Sequence, residues 1–251
     1  MELVALTALG IGGATVIGAL IGFCFKKIDE KLNDGILGFA AGIMLAAAIL
    51  GLIIPSAQQA GKTGIWMTIA GVFCGALFLN FADKLTPHLH HLTGVKEEEH
   101  KHNAHLNKVM LFVMAIAIHN LPEGLAAGVG VGAGDMGNAL TIAFGIALQN
   151  IPEGMVIISP MILSGISKGR TFMIALVTGL VEVIGTFIGF MAAGVSSAIL
   201  PFCLAFAGGT MLYVISDEMI PETHSHGNER LATYALLVGF MVMLLMDTFM
   251  A

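Results

Sequence analysis

The sequence predicts an all-α integral membrane protein with eight transmembrane helices, on three observations. The chain is poor in charge, it divides into eight apolar stretches of spanning length, and its basic residues sort to alternate connections. Only 11% of the 251 residues are Asp, Glu, Lys or Arg, and 57% are apolar. Soluble domains carry roughly 25% charged residues. A chain of this balance cannot clothe a water-facing globule of its size, whereas lipid suits it as a solvent. The net charge of -6 is spread along the chain and marks no nucleic-acid partner.

A membrane helix needs about 20 apolar residues. The stretches that qualify are 3–25, 36–57, 64–82, 109–131, 139–163, 171–194, 197–219 and 231–249. The first is too long for a signal-peptide core and no basic region precedes it, so it reads as a span. Lys26, Lys27 and Lys31 follow the first stretch, and Lys84, Lys96, Lys101 and Lys108 the third. Lys168 and Arg170 follow the fifth, Arg230 the seventh, and only Lys62 falls in an even connection. The positive-inside bias therefore places the odd connections in the cytoplasm and both termini on the extracytoplasmic side. The chain, 1–251, reads as a single transmembrane domain with a cytoplasmic His-rich loop at 84–108.

Some features invite other readings. Cys24, Cys74 and Cys203 lie in apolar stretches without a CxxC and read as buried small residues. Ala60-Gly61-Lys62-Thr63 resembles the end of a phosphate-binding loop, but Ser56 stands where its first glycine belongs and no strand precedes it. Gly18/Gly22, Gly38/Gly42 and Gly185/Gly189 have the spacing of close helix contacts. They fit general membrane packing better than a dedicated face for a homodimer.

Ionisable residues at membrane depth are costly, and each marks a function by default. Glu123, Glu153 and Glu182 sit near the middle of the fourth, fifth and sixth stretches, and His119 lies at the same level. A cation held among them would explain all four. The fourth stretch reads His119-Asn120-Leu121-Pro122-Glu123-Gly124, and the fifth Gln149-Asn150-Ile151-Pro152-Glu153-Gly154. Asn, Pro, Glu and Gly recur at identical offsets. An i, i+4 spacing puts His119 and Glu123 on one helix face, and Gln149 and Glu153 likewise. Each proline deprives the carbonyl four residues earlier, Ile118 or Leu148, of its helical donor. A freed carbonyl in lipid must be satisfied or line a cavity. Because the two spans run in opposite directions, their motifs are related by a pseudo-two-fold axis in the membrane plane, as in inverted-repeat transporters with midplane sites.

These residues resemble the ZIP (Zrt-, Irt-like) metal transporters, especially the bacterial GufA-like branch. The likeness covers nearly the whole chain. The six-residue motif at His119 is similar to that family's fourth-span signature and the motif at Gln149 to its fifth-span partner. Gly38 to Gly42, Thr86-Pro87-His88 and Asp217 to His224 also match. The resemblance implies transport of divalent metal ions into the cytoplasm across a bacterial cell (inner) membrane, through a binuclear midplane site, with the metal as substrate and no cofactor. One ion would sit among His119, Glu123, Gln149 and Glu153. The other would sit among Asn120, Glu123, Asn150, Glu153 and Glu182, with Met44 nearby. Family members often have His where this chain has Gln149 and an acid where it has Asn150, so two positions here are neutral amides.

Imidazole with carboxylate suits zinc first, and also iron and manganese, with cadmium as an adventitious substrate. The 84–108 loop carries His88, His90, His91, His100, His102 and His105 around Glu97 to Glu99, a composition that reads as weak metal capture. Asp83, Asp217 and Glu218 end their spans on the cytoplasmic side, and Glu222, His224 and His226 follow. Together they read as an exit route that resembles the family's. The alternative functional reading is a proton-coupled cation antiporter using the same glutamates. An intramembrane zinc hydrolase would need a water-activating base as in HExxH, which is absent from the sequence.

Overall fold

The computed structural model describes residues 1–25, 29–92, 104–163, 166–196 and 198–250, with the side chains of 83–117, 159–160 and 163 left aside. The described chain is helical nearly throughout. The helices are α1 (Glu2–Gly22), α2 (Glu30–Ala46), α3 (Ile54–Leu92), α4 (Ala104–Gly132), α5 (Met136–Leu163), α6 (Lys168–Val195), α7 (Leu200–Val214), α8 (Ile220–Thr223) and α9 (Glu229–Met250). A π-helical segment, Ala47–Ile53, joins α2 to α3, and another, Ile215–Met219, joins α7 to α8.

Local chemistry places these boundaries. Asp29 caps α2 by accepting a hydrogen bond from the backbone N–H of Leu32 at 2.7 Å. Gly61 has φ 63° and ψ -175°, a conformation that side-chain-bearing residues rarely adopt, and there the continuous helical run breaks. Pro201 occupies the first turn of α7, where a missing N–H costs nothing.

Among the described residues, six stretches are long and apolar enough to cross a membrane. One of them, Glu30–Ala82, is 53 residues long and contains the break at Gly61. The expected separations near Gly61, Gly134 and Ser196 all coincide with helix ends or a break. The expected loop at 84–108 is shorter in the structure. Helix α3 continues to Leu92 and α4 begins at Ala104, because loss of apolarity ends a span without ending a helix. The segment 93–103, with His100 and His102, lies outside the described residues.

The glycines decide which helices meet. A methyl group on Gly18 (α1) would fall 2.1 Å from the carbonyl oxygen of Ile151 (α5), and one on Gly154 (α5) 2.1 Å from that of Thr15 (α1). Between α4 and α6, Gly124 stands likewise against Glu182, Gly128 against Thr186 and Gly189 against Leu125. Gly12 and Gly179 bring α1 and α6 together. Helices α3 and α7 meet through Gly71, Gly75 and Gly209, and α2 and α9 through Gly38, Gly42 and Gly239. The glycine pairs noted in the sequence are thus used within the chain. Across the groups, the nearest neighbours are side chains: Ile142 at Gly51, Met243 at Gly145 and Ile53 at Gly208. The core between them is apolar and includes Ile43, Met44, Ala126, Ile146, Met211 and Ile215.

Two polar ties stand out at the ends. The Gly51 carbonyl, in the first π-helical segment, accepts a hydrogen bond from the Asn138 amide at 3.0 Å. A π-helical turn is held together less regularly than an α-helix, and the amide of α5 satisfies this carbonyl. At the start of α2, fully buried Asp34 accepts from Asn228 Nδ2 at 2.9 Å and pairs with His226 Nδ1 at 3.0 Å. The Asp34 carboxylate, with Glu222 and Glu30 adding to it, raises the pKa of His226. Asp34 thereby clasps the α8–α9 turn to α2. Replacing it with Ala removes both bonds from partners that water can partly serve, at about 0.5–1.5 kcal/mol each. Asp34→Ala is expected to lower the unfolding midpoint in detergent by several degrees and to leave zinc affinity unchanged. An unaltered midpoint in a melting experiment would remove the clasp.

Candidate metal centre

Helices α4 and α5 run unbroken through Pro122 and Pro152 and carry the two matching motifs into the interior. The glycine that closes each motif sets its depth of packing. Gly124 seats α4 on the backbone of Glu182, and Gly154 seats α5 on the backbone of Thr15. Four helices, α1, α4, α5 and α6, therefore converge on one cluster of polar side chains.

In that cluster Glu123, Gln149 and Glu182 are wholly buried, Asn120 and Asn150 are 1% exposed, and Glu153 and His119 are 7% and 9% exposed. Gln149 Nε2 donates to Glu123 Oε1 at 2.7 Å. Glu182 accepts from Asn120 Nδ2 at 2.8 Å, and also from Asn150 Nδ2 and the Thr15 hydroxyl. Asn150 Nδ2 reaches the carbonyl of Ile11 as well, at 3.2 Å. Glu123 is close enough to Glu153 and Glu182 to interact with both electrostatically, as is His119 with Glu153.

Six buried side-chain polar atoms among the described residues have no hydrogen-bond partner: His119 Nε2, Asn120 Oδ1, Glu123 Oε2, Gln149 Oε1, Asn150 Oδ1 and Glu218 Oε1. Such atoms cost about 1–3 kcal/mol each when left unmatched. Five of the six belong to residues that the family resemblance assigns to the midplane site, and the sixth to Glu218 of the expected exit route. Five are oxygens and one is an imidazole nitrogen, a donor set that fits a borderline divalent cation. As they stand, no three His, Cys, Asp or Glu side chains among the described residues gather around one point suited to an ion. Amides intervene, hydrogen-bonded to the carboxylates by their NH2 ends.

Glu218 is placed differently from the expectation. The sequence puts it at the end of a span in an exit route. In the structure its Oε2 lies 2.8 Å from His119 Nε2, a close polar contact that lacks the alignment of a hydrogen bond. The second π-helical segment, Ile215–Met219, carries it there. Met44 is wholly buried in the apolar core. Glu222 and His224 stand apart from the cluster. Glu222 is exposed, 3.9 Å from His226, and the His224 ring contacts the Ile220 carbonyl, Thr223 and Thr233. Asp217 is exposed and lines an open cleft between α3 and α7 with Val72, Tyr213 and Ser216. The side chains of Asp83, His88 and His90 lie outside the described residues.

Sequence reasoning missed Thr15 and the Ile11 carbonyl. A signal was present, since Ile11 and Thr15 lie on the face of α1 that carries Gly12, Gly18 and Gly22, the face of closest helix approach.

The family model described as ZIP Zinc transporter matches residues 94–247. The zinc transporter GufA of Myxococcus xanthus is 40% identical over 242 residues, covering 94% of each chain. The zinc transporter ZIPB of Bordetella bronchiseptica is 37% identical over 250 residues, covering 94% of this chain and 77% of its own. The zinc transporter ZupT of Streptococcus mutans is 33% identical over 249 residues, covering 95% and 93%. With both motif helices inside the matched region and relatives this similar along nearly its full length, the chain belongs to the ZIP zinc transporter family.

Proposed function

We propose that this protein transports divalent metal ions into the cytoplasm across a cell membrane, with zinc as the principal substrate and iron, manganese and cadmium as others. It is a transporter and not an enzyme, and the metal is cargo rather than a resident cofactor. The observation that carries the reading is the concentration of unpartnered buried donor atoms on the residues of the two matching motifs and on Glu218. The relatives named above are zinc transporters, and this points to the same cargo. Two adjacent positions bridged by Glu123 and Glu153 account for the doubled motif.

Eight spans follow if the run of 53 residues counts as two passes and α4 as one. Such a run is about 80 Å long at 1.5 Å per residue, against a hydrocarbon core of about 30 Å. The basic connections then face the cytoplasm and both termini face outward. The membrane potential supplies about 2.3 kcal/mol per charge per 100 mV, hence about 4.6 kcal/mol for a divalent ion entering a negative interior. Proteoliposomes given only a zinc gradient, with pH equal on both sides, are expected to take up zinc without nucleotide. A strict requirement for ATP, or proton flux in the absence of metal, would sink the proposal.

A further inference from the structure

Thr15 and Glu182 occupy equivalent places. Gly154 packs on the Thr15 carbonyl as Gly124 packs on that of Glu182. Gly18 meets Ile151 as Gly185 meets Leu121, and Gly22 meets Met155 as Gly189 meets Leu125. Each pair is related by the same two shifts, 167 residues from α1 to α6 and 30 from α4 to α5. Thr15 and Glu182 are thus counterparts under the relation that matches the two motifs, and they are hydrogen-bonded to each other.

A carboxylate has about four lone-pair sites. Glu182 commits three of them, to Thr15, Asn120 and Asn150. Only the NH2 end of an amide can face a carboxylate, so Glu182 fixes which way both asparagines turn. Their Oδ1 atoms, Asn120's and Asn150's, are left buried and unpartnered. A threonine hydroxyl inside a helix usually bonds back to the carbonyl four residues earlier. Thr15 turns to Glu182 instead, and that earlier carbonyl, Ile11's, accepts from Asn150.

We infer, on the metal-site reading above, that Thr15 is a positioning residue for transport: its hydroxyl holds Glu182 as an anchor that aims the amide oxygens of Asn120 and Asn150 at the second metal position. Glu182 keeps about one lone-pair site for the ion itself, and Thr15 is buried at 1% exposure, where water does not compete for its hydroxyl.

The test uses the full-length protein in detergent, titrated with zinc by calorimetry and with Co²⁺ by its d–d absorption. The wild type is expected to bind in two steps. Thr15→Val keeps the shape and loses the hydroxyl, and is expected to weaken the second step by about 10–100-fold, the usual effect of a residue behind a ligand. The first step and the unfolding midpoint stay near wild type. Thr15→Ser is expected to restore the second step. If packing alone mattered, Thr15→Val would bind as wild type and Thr15→Ser would be weak, which overturns the inference. Should Thr15→Val fail to fold, Thr15→Ala against Thr15→Ser isolates the hydroxyl in the same way. Glu123→Ala separates the two readings. Zinc binding lost in Glu123→Ala but intact in Thr15→Val and Thr15→Ala removes only the role of Thr15. Binding intact in Glu123→Ala, or a single step in the wild type, removes the binuclear site and this role with it.

Discussion

Glu123→Ala and Glu153→Ala are each expected to bring zinc transport to background. Both carboxylates are buried, and they sit at the same place in the two motifs. If they bridge two ions, either change removes a charged ligand from both positions. It also leaves a neighbour stranded. Gln149 Nε2 loses its acceptor in Glu123→Ala, and His119 loses the nearby carboxyl group in Glu153→Ala. Residues that merely support a ligand cost 10–100-fold in affinity, so loss of a bridging ligand is expected to cost at least about 100-fold. Bound zinc per chain and uptake rate are the quantities to measure, on variants shown to insert and fold. Wild-type uptake in both would refute the midplane site. Glu182→Ala is expected to be milder, because it strips the anchor from Asn120 and Asn150 and spares the position built on His119.

The second large effect concerns a residue with no chemistry of its own. Gly18→Ala places a methyl 2.1 Å from the Ile151 carbonyl oxygen, and the obstacle is backbone that cannot rotate away. Helices α1 and α5 must separate. Overpacking of this kind costs about 1–3 kcal/mol, and more where nothing can yield. The unfolding midpoint is expected to fall by roughly 5–10 °C, at about 2–4 °C per kcal/mol for a chain of this size. Uptake falls too, because the same shift draws Thr15 off Glu182 and Ile11 off Asn150. Gly13→Ala on the same helix is the control. Nothing lies within 4 Å of its new methyl, so its midpoint is expected to match the wild type. Equal behaviour of Gly18→Ala and Gly13→Ala would show that these contacts do not set the packing.

The sequence by itself determined the helical membrane class, the helix breaks and the central carboxylates of this protein. Each rests on short-range or compositional physics. Apolar length sets a span, Gly61 and the break after Val195 interrupt helices locally, and an acid amid apolar residues announces its own cost. The doubled Asn-x-Pro-Glu-Gly motif was legible for the same reason, since its members lie within one helical turn or so of each other. Only the tertiary structure decided which partners those residues meet. Thr15 looks like any threonine in an apolar helix until α1 is laid against α6, 167 residues away. Asp34 reads as an ordinary acid beside a loop until the α8–α9 turn covers it. Glu218 reads as the end of a span until a π-helical segment carries it to His119. In each case a polar contact over a few ångströms settles the role, and periodicity along the chain carries no record of it. Glu222 and His224 show the converse. The sequence reads them as part of an exit route, and the turn that holds them lies beside α9 and apart from the cluster, because side-chain type states what a residue can bind and only position states what it reaches.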